Sequence, residues 1–227
     1  MQKSDILFED NHLIIINKKP GELVQGDKTG DKPLLDKVKE YIKENENKPG
    51  NVYLGLIHRL DRPTSGIVIF AKTSKALTRM NEKFKNREID KTYWAITTPL
   101  PEDTPTENTL THYLKKNEKR NLVTAFPKPT QGAKKAILHY KLIQKLDNYQ
   151  VFEIELETGR SHQIRVQMSK IGAPIKGDLK YGSPRSNKDG GIHLHARKVV
   201  FKHPVTQHKV EVMAKPPSEV LWDLTND

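Results

Sequence analysis

The chain has 227 residues and a mass of 26.0 kDa, and its 35% hydrophobic residues fall in short alternating runs, which excludes global disorder. No run approaches the ~18–20 apolar residues of a membrane span, the first ten residues lack a signal-peptide pattern, and the absence of cysteine excludes disulfides, thiolate metal sites and a cysteine nucleophile. The formal charge of +11 is concentrated: residues 1–57 hold 9 basic and 10 acidic side chains, a net of −1, whereas residues 160–203 hold 10 and 2, a net of +8.

In chain order, Ile6–Phe8 and Leu13–Ile16 read as two short strands around a turn at Asp10-Asn11, closed by Lys19-Pro20-Gly21. The spacing of Val38, Tyr41 and Ile42 predicts a helix over Asp36–Lys43, and the polar stretch Glu44–Gly50 reads as a loop. Leu54–Leu60 and Ile67–Ala71 are apolar enough for buried strands, joined by the charged loop Asp61–Gly66. Ser74 is placed to cap an amphipathic helix reaching about Arg87, with Leu77, Met80 and Phe84 on its inner face. Strand-like runs follow at Tyr93–Thr97, Leu110–Leu114, Leu122–Phe126, Ala136–Ile143 and Val151–Leu156. Ser161–Ile171 returns to helical spacing with Gly172 as its stop, and Ile192–Phe201 pairs with Val210–Met213 across the His203–His208 turn. Many strands and few helices predict an α+β sheet protein.

Two segments stand out chemically. In His58-Arg59-Leu60-Asp61-Arg62-Pro63-Thr64-Ser65-Gly66 a carboxylate sits between two arginines, in a loop between two buried strands. Such an Asp is held ionised and suits a nucleophile or a base, although an Asp that merely closes a turn has the same sequence. In Thr158-Gly159-Arg160-Ser161-His162-Gln163-Ile164-Arg165 a strand hands over to a helix N-terminus, where backbone amides and two arginines can face an anion; an ordinary capped helix with solvated arginines is the plainer reading. His193 and His195 alternate on one strand near His203 and His208, but no carboxylate cluster completes a metal site. Nucleotide-binding glycine motifs and a G-x-S-x-G elbow are absent. A basic second half is a nucleic-acid signal, and a solvated surface that only keeps the protein soluble would carry the same charge.

Together these segments resemble the RluA family of RNA pseudouridine synthases. The resemblance rests on His58-Arg59-Leu60-Asp61-Arg62-x-Thr64-Ser65-Gly66, Lys91-x-Tyr93 and Gly159-Arg160-Ser161-His162-Gln163-Ile164-Arg165. Lys19-Pro20-Gly21 and Gly172-x-Pro174-Ile175-x-Gly177-Asp178-x-x-Tyr181-Gly182 extend it over about Ile6–Ala214. It implies a mixed, largely antiparallel sheet in two subdomains with a basic central cleft. It also implies one catalytic domain over residues 1–227 without the N-terminal S4-type domain of many relatives. By the same resemblance Asp61 is the catalytic carboxylate, Arg165 its ion-pair partner and Tyr93 the ring over the target uracil. Arg59, Arg62, Arg160, His162, Gln163, Lys176 and Lys180 are expected to contact RNA. The implied reaction turns uridine into pseudouridine in a flipped-out base of an rRNA or tRNA stem-loop, with Asp61 acting either by covalent attack or by removing a sugar proton. No cofactor, metal or membrane is expected, and the protein is expected to be a cytoplasmic monomer. A noncatalytic RNA-binding module would explain the charge but not the Arg-bracketed Asp61, and a metal-dependent nuclease would need clustered carboxylates.

Overall fold

The computed structural model describes residues 2–27, 30–47 and 49–225 and divides into two compact units. Unit 1 comprises residues up to Ile89 together with Ala196–Pro217, and unit 2 comprises Asp90–His195 and the residues from Ser218 onward. Among the described residues no helix is long and apolar enough to cross a membrane.

Unit 1 opens with β1 (Ile6–Glu9) and β2 (Leu13–Lys18), an antiparallel pair whose turn is fixed by Asp10 Oδ1, which accepts the His12 and Leu13 N–H groups at 2.7 Å each. The expected turn at Asp10-Asn11 is there because an Asp side chain satisfies its donors locally. Helix α1 (Leu34–Asn45) buries Leu34, Val38 and Ile42, one per turn, and runs slightly beyond the expected span at both ends. The expected strand Leu54–Leu60 shrinks to β3 (Gly55–Leu56), which pairs with β4 (Ser65–Ala71). Beyond it the His58 imidazole, stacked on Phe84 at 5.0 Å, takes the Ile69 N–H at 3.1 Å, so a side chain replaces the sheet partner. Strand β4 is buried throughout and pairs antiparallel with β2, Ile15 against Ile69 and Lys18 against Gly66.

Helix α2 (Ser74–Asn86) is capped by Thr73, not Ser74: its Oγ1 accepts the Ala76 N–H at 3.2 Å, and the helix ends on Arg87 in the left-handed region at φ 61°. Ala76 and Met80 form its buried stripe.

In unit 2, β5 (Ile89–Thr97, all but its first residue), β9 (Gln150–Leu156), β8 (Lys134–Lys145), β6 (Glu107–Asn117) and β7 (Leu122–Phe126) lie side by side in that order, every neighbouring pair antiparallel. Helix α3 (Gln163–Lys170) adds Ile164 and Met168 to a core with Ala95, Leu138, Tyr140, Phe152 and Ile154. A smaller cluster joins Leu114, Val123, Ala125 and Ala136 to Val166 and Tyr181. Helix α3 starts two residues later than its spacing predicts because His162 is left-handed at φ 50°. Strand β10 (Leu194–Lys202) leads from unit 2 into unit 1, where it pairs antiparallel with β11 (Lys209–Met213). His203 Nδ1 accepts the Thr206 N–H at 3.0 Å and so shapes the turn between them. A short helix, α4 (Val220–Asp223), follows in unit 2, burying Trp222. The architecture is α+β, as the strand-rich pattern predicts, with the largely antiparallel sheet that the resemblance implies.

Candidate active site

The Asp-bearing loop lies in unit 1 between β3 and β4. Its turn is closed by the Thr64 N–H donating to the Asp61 carbonyl at 3.0 Å, and the Asp61 side chain is half-buried. Beneath it is Lys18, the last residue of β2, with a side chain almost wholly buried. Its ammonium donates to the carbonyl oxygens of Lys19 at 2.9 Å and Arg62 at 3.1 Å, while the Gly21 N–H donates to the same Arg62 carbonyl at 2.9 Å. Two loops distant in sequence are thereby tied at one oxygen. Burial lowers the Lys18 pKa to about 8, against the attraction of Glu22 and Asp61, so at neutral pH an ammonium stands near the Asp61 carboxylate. Arg62, exposed, donates from Nε to the Gly21 carbonyl at 3.0 Å and pairs with Asp31 at 2.7 Å; Arg59 is exposed.

Gly66 closes this loop at φ 108°. A Cβ there would lie 2.5 Å from the Ala196 nitrogen and 2.8 Å from its carbonyl carbon, so backbone occupies the space of a side chain.

The second motif lies in unit 2. Gln163 Oε1 accepts both the Thr158 hydroxyl at 2.8 Å and the Arg160 N–H at 2.9 Å, while its Nε2 donates to the Ile137 carbonyl at 3.0 Å. An amide expected to face an anion is thus taken by a side chain of the protein. Gln163 and His162 are both buried, whereas Arg160 is exposed and donates from Nε to the Lys135 carbonyl at 3.1 Å.

Arg165 forms a bidentate pair with Asp178, Nε to Oδ2 at 2.7 Å and Nη2 to Oδ1 at 2.8 Å, with both side chains buried. Its guanidinium also lies 5.1 Å from the centre of the Tyr181 ring. The Tyr181 hydroxyl accepts the Val123 N–H at 2.9 Å and shares a hydrogen bond of 2.7 Å with His162 Nδ1. Tyr93, on β5 opposite Ile154, is half-buried and packs against the core of unit 2. Lys176 donates to Asn187 Oδ1 at 2.7 Å, and exposed Lys180 to the Asn121 carbonyl at 3.1 Å.

The structure therefore places Arg59, Asp61 and Arg62 together in unit 1 and Tyr93, Arg160, His162, Gln163, Arg165, Lys176 and Lys180 in unit 2. Sequence reasoning does not reach Lys18 as part of the site, although the alternation of β2 sets it on the face of Ile14 and Ile16. Asp178 and Tyr181 enter only as parts of a pattern; no local signal marks them as the support of Arg165. His193, considered for a metal, instead accepts from Asn187 Nδ2 at 2.9 Å, donates to Glu219 at 2.7 Å and stacks on Trp222. Burial lowers its pKa, in keeping with this neutral form. No three His, Asp or Glu among the described residues are arranged to hold a metal ion.

Residues 12–170 match the family model described as RNA pseudouridylate synthase. An uncharacterized RNA pseudouridine synthase of Synechocystis sp. is 31% identical over 94% of this chain and 66% of its own length. The ribosomal large subunit pseudouridine synthase D of Zymomonas mobilis is 30% identical over 95% and 70%, and the tRNA pseudouridine synthase C of Vibrio cholerae 30% over 92% and 90%. The chain thus spans 66% of the length of the first of these relatives. The solved structure of human RNA Pseudouridylate Synthase Domain Containing 4 superposes with a TM-score of 0.80 at 24% identity, covering 97% of this chain and 92% of that one, a likeness of fold. With the matched segment running from β2 through α3 and taking in Asp61, Tyr93 and Arg165, the chain belongs to the RNA pseudouridylate synthase family.

Proposed function

We propose that this chain isomerises uridine to pseudouridine at a flipped-out position of a structured rRNA or tRNA. The observation that carries the reading is Asp61, presented half-buried on a turn whose backbone is clamped by the buried Lys18 ammonium. Relatives named for large-subunit rRNA and for tRNA support both substrate classes.

In the reaction the N1–C1′ bond breaks, the uracil turns and C5 joins C1′, while C5 loses a proton and N1 gains one. Nothing is oxidised or reduced, so the bond changes require no cofactor. Asp61 attacks C1′ or removes a sugar proton; Tyr93 stacks on the uracil; Arg165, held rigid by Asp178, supplies the fixed positive charge of the reaction. Arg59, Arg62, Arg160, Lys176 and Lys180 meet phosphates, and the buried His162 and Gln163 act by holding Arg160 and α3 in place. The two units make one catalytic domain, and the protein works as a cytoplasmic monomer without metal.

RNA from a strain lacking the enzyme, tritiated at uracil C5, tests the reading. Purified protein should release tritium to water while the RNA stays uncut. Retention of label at excess enzyme overturns it.

A further inference from the structure

We infer that the β6–β7 hairpin and the adjoining start of β8 form a phosphate-binding surface for the RNA helix that flanks the target nucleotide. The inference rests on the RNA reading above and adds residues outside its motifs.

Residues 113–135 hold Lys115, Lys116, Lys119, Arg120, Lys128, Lys134 and Lys135 against one acid, Glu118. Lys116 pairs with Glu118 at 2.6 Å; Lys119, Arg120, Lys134 and Lys135 are exposed and have no acidic partner among the described residues. Cross-strand register gathers these cations. Lys135, opposite Tyr113, shares the outer face with Lys115, while Lys134, opposite Leu114, and Lys116, opposite Val123, are exposed on the other face beside the inner cluster. Like charges this close repel and stabilise nothing by themselves. A polyanion is the partner that turns the arrangement into a gain, by releasing counterions from its phosphates.

The hairpin is also fixed to the catalytic side of unit 2. Its turn is held by the Arg120 N–H on Asn117 Oδ1 at 3.1 Å and by Lys180 on the Asn121 carbonyl. Its inner face, Leu114, Val123 and Ala125, packs on Val166 and Tyr181. The Tyr181 hydroxyl takes the Val123 N–H while its ring lies under the Arg165 guanidinium. Arg160 joins the same surface through the Lys135 carbonyl. A phosphate backbone gripped here is therefore registered against Arg165 by one rigid side chain. An acidic protein or an anionic membrane would gain nothing from that registration, which favours the substrate RNA.

The test compares wild type with a variant carrying Lys119→Gln, Arg120→Gln, Lys134→Gln and Lys135→Gln, and with a control in which exposed Lys43, Lys75, Lys85 and Lys145 become Gln. Binding to the RNA used for tritium release is measured across salt, alongside release itself. The hairpin variant should bind roughly tenfold or more weakly at 0.15 M salt, with a salt slope smaller by about 0.9 for each phosphate it no longer neutralises. Its kcat/KM should fall chiefly through KM, and the control should match wild type in slope. Unchanged affinity and slope in the hairpin variant overturn the inference, as does an equal loss in the control. So does a loss confined to binding of vesicles rich in anionic lipid. Failure of wild type to release tritium refutes the underlying reading instead, a separate outcome. Circular dichroism checks that all three proteins are equally folded.

Discussion

The carboxylate of Asp178 meets the guanidinium of Arg165 through two parallel hydrogen bonds of 2.7 and 2.8 Å, both side chains shut away from water. Removing Arg165 strands the buried Asp178 carboxylate, and removing Asp178 takes both of these bonds from Arg165; breaking a buried pair in this way costs about 3–5 kcal/mol. Arg165→Ala and Asp178→Ala should therefore each lower the melting temperature by roughly 6–20 °C in calorimetry and abolish turnover. Arg165→Lys keeps the charge without the fork and should recover only part of either property. A Lys variant as stable and active as wild type would mean that geometry contributes nothing here.

Asp61→Asn should abolish tritium release, because the amide keeps the size of the side chain but can neither attack C1′ nor take a sugar proton. RNA affinity should stay within a few-fold of wild type. Appreciable turnover in this variant would move the chemistry to another residue.

Tyr181→Phe removes one hydroxyl that serves Val123 and His162 together and leaves the ring under Arg165. Leaving the buried Val123 N–H without its acceptor costs about 1–3 kcal/mol. Faster amide exchange at Val123 should accompany the lower stability, with turnover reduced but present. Unaltered exchange would show that the hydroxyl does not hold the hairpin.

Lys18 gives a pH signature. Its folded pKa of about 8 lies below the ordinary lysine value because burial disfavours the ammonium. Between those two values the unfolded chain binds more protons than the folded one, so this residue makes stability rise with pH above about 8. Denaturant titrations at about pH 7.5 and about pH 10 should show that rise in wild type relative to Lys18→Met, after the loop-clamp loss common to both pH values is subtracted. Parallel pH dependence in the two proteins would refute the buried ammonium.

Gly66→Ala must push Ala196 away and adopt a backbone angle foreign to alanine. A loss of about 2 kcal/mol or more is expected, read as a lower urea midpoint. A neutral substitution would mean that β4 and the residues beside Ala196 separate easily.

What the sequence reveals follows from the range of the forces involved. Alternation along β9 and the four-residue spacing of α1 are local, and both elements form close to where their patterns put them. The end of β3 is illegible because His58, a side chain, intercepts the Ile69 N–H, and no periodicity encodes that. Ser74 and Thr73 are equally good caps on composition; the Ala76 N–H chooses between them. Asp61 is legible from its own neighbours, whereas the grip of Asp178 on Arg165 bridges 13 residues of irregular chain and becomes visible only in three dimensions. Lys18 reads as one more surface lysine until the Arg62 carbonyl is seen above it.

The division of the chain bears on how the protein is made. Unit 1 needs Ala196–Pro217, and unit 2 keeps Glu219 on His193 and Trp222 against its ring. During synthesis neither unit can finish folding when its first long segment leaves the ribosome; each waits for a return of the polypeptide, and unit 2 waits for the residues beyond Pro217. Split genes cut at residue 89 or 195 should therefore yield insoluble halves, while a premature stop after Pro217 would release a protein with unit 1 sound and His193 stripped of its clasp.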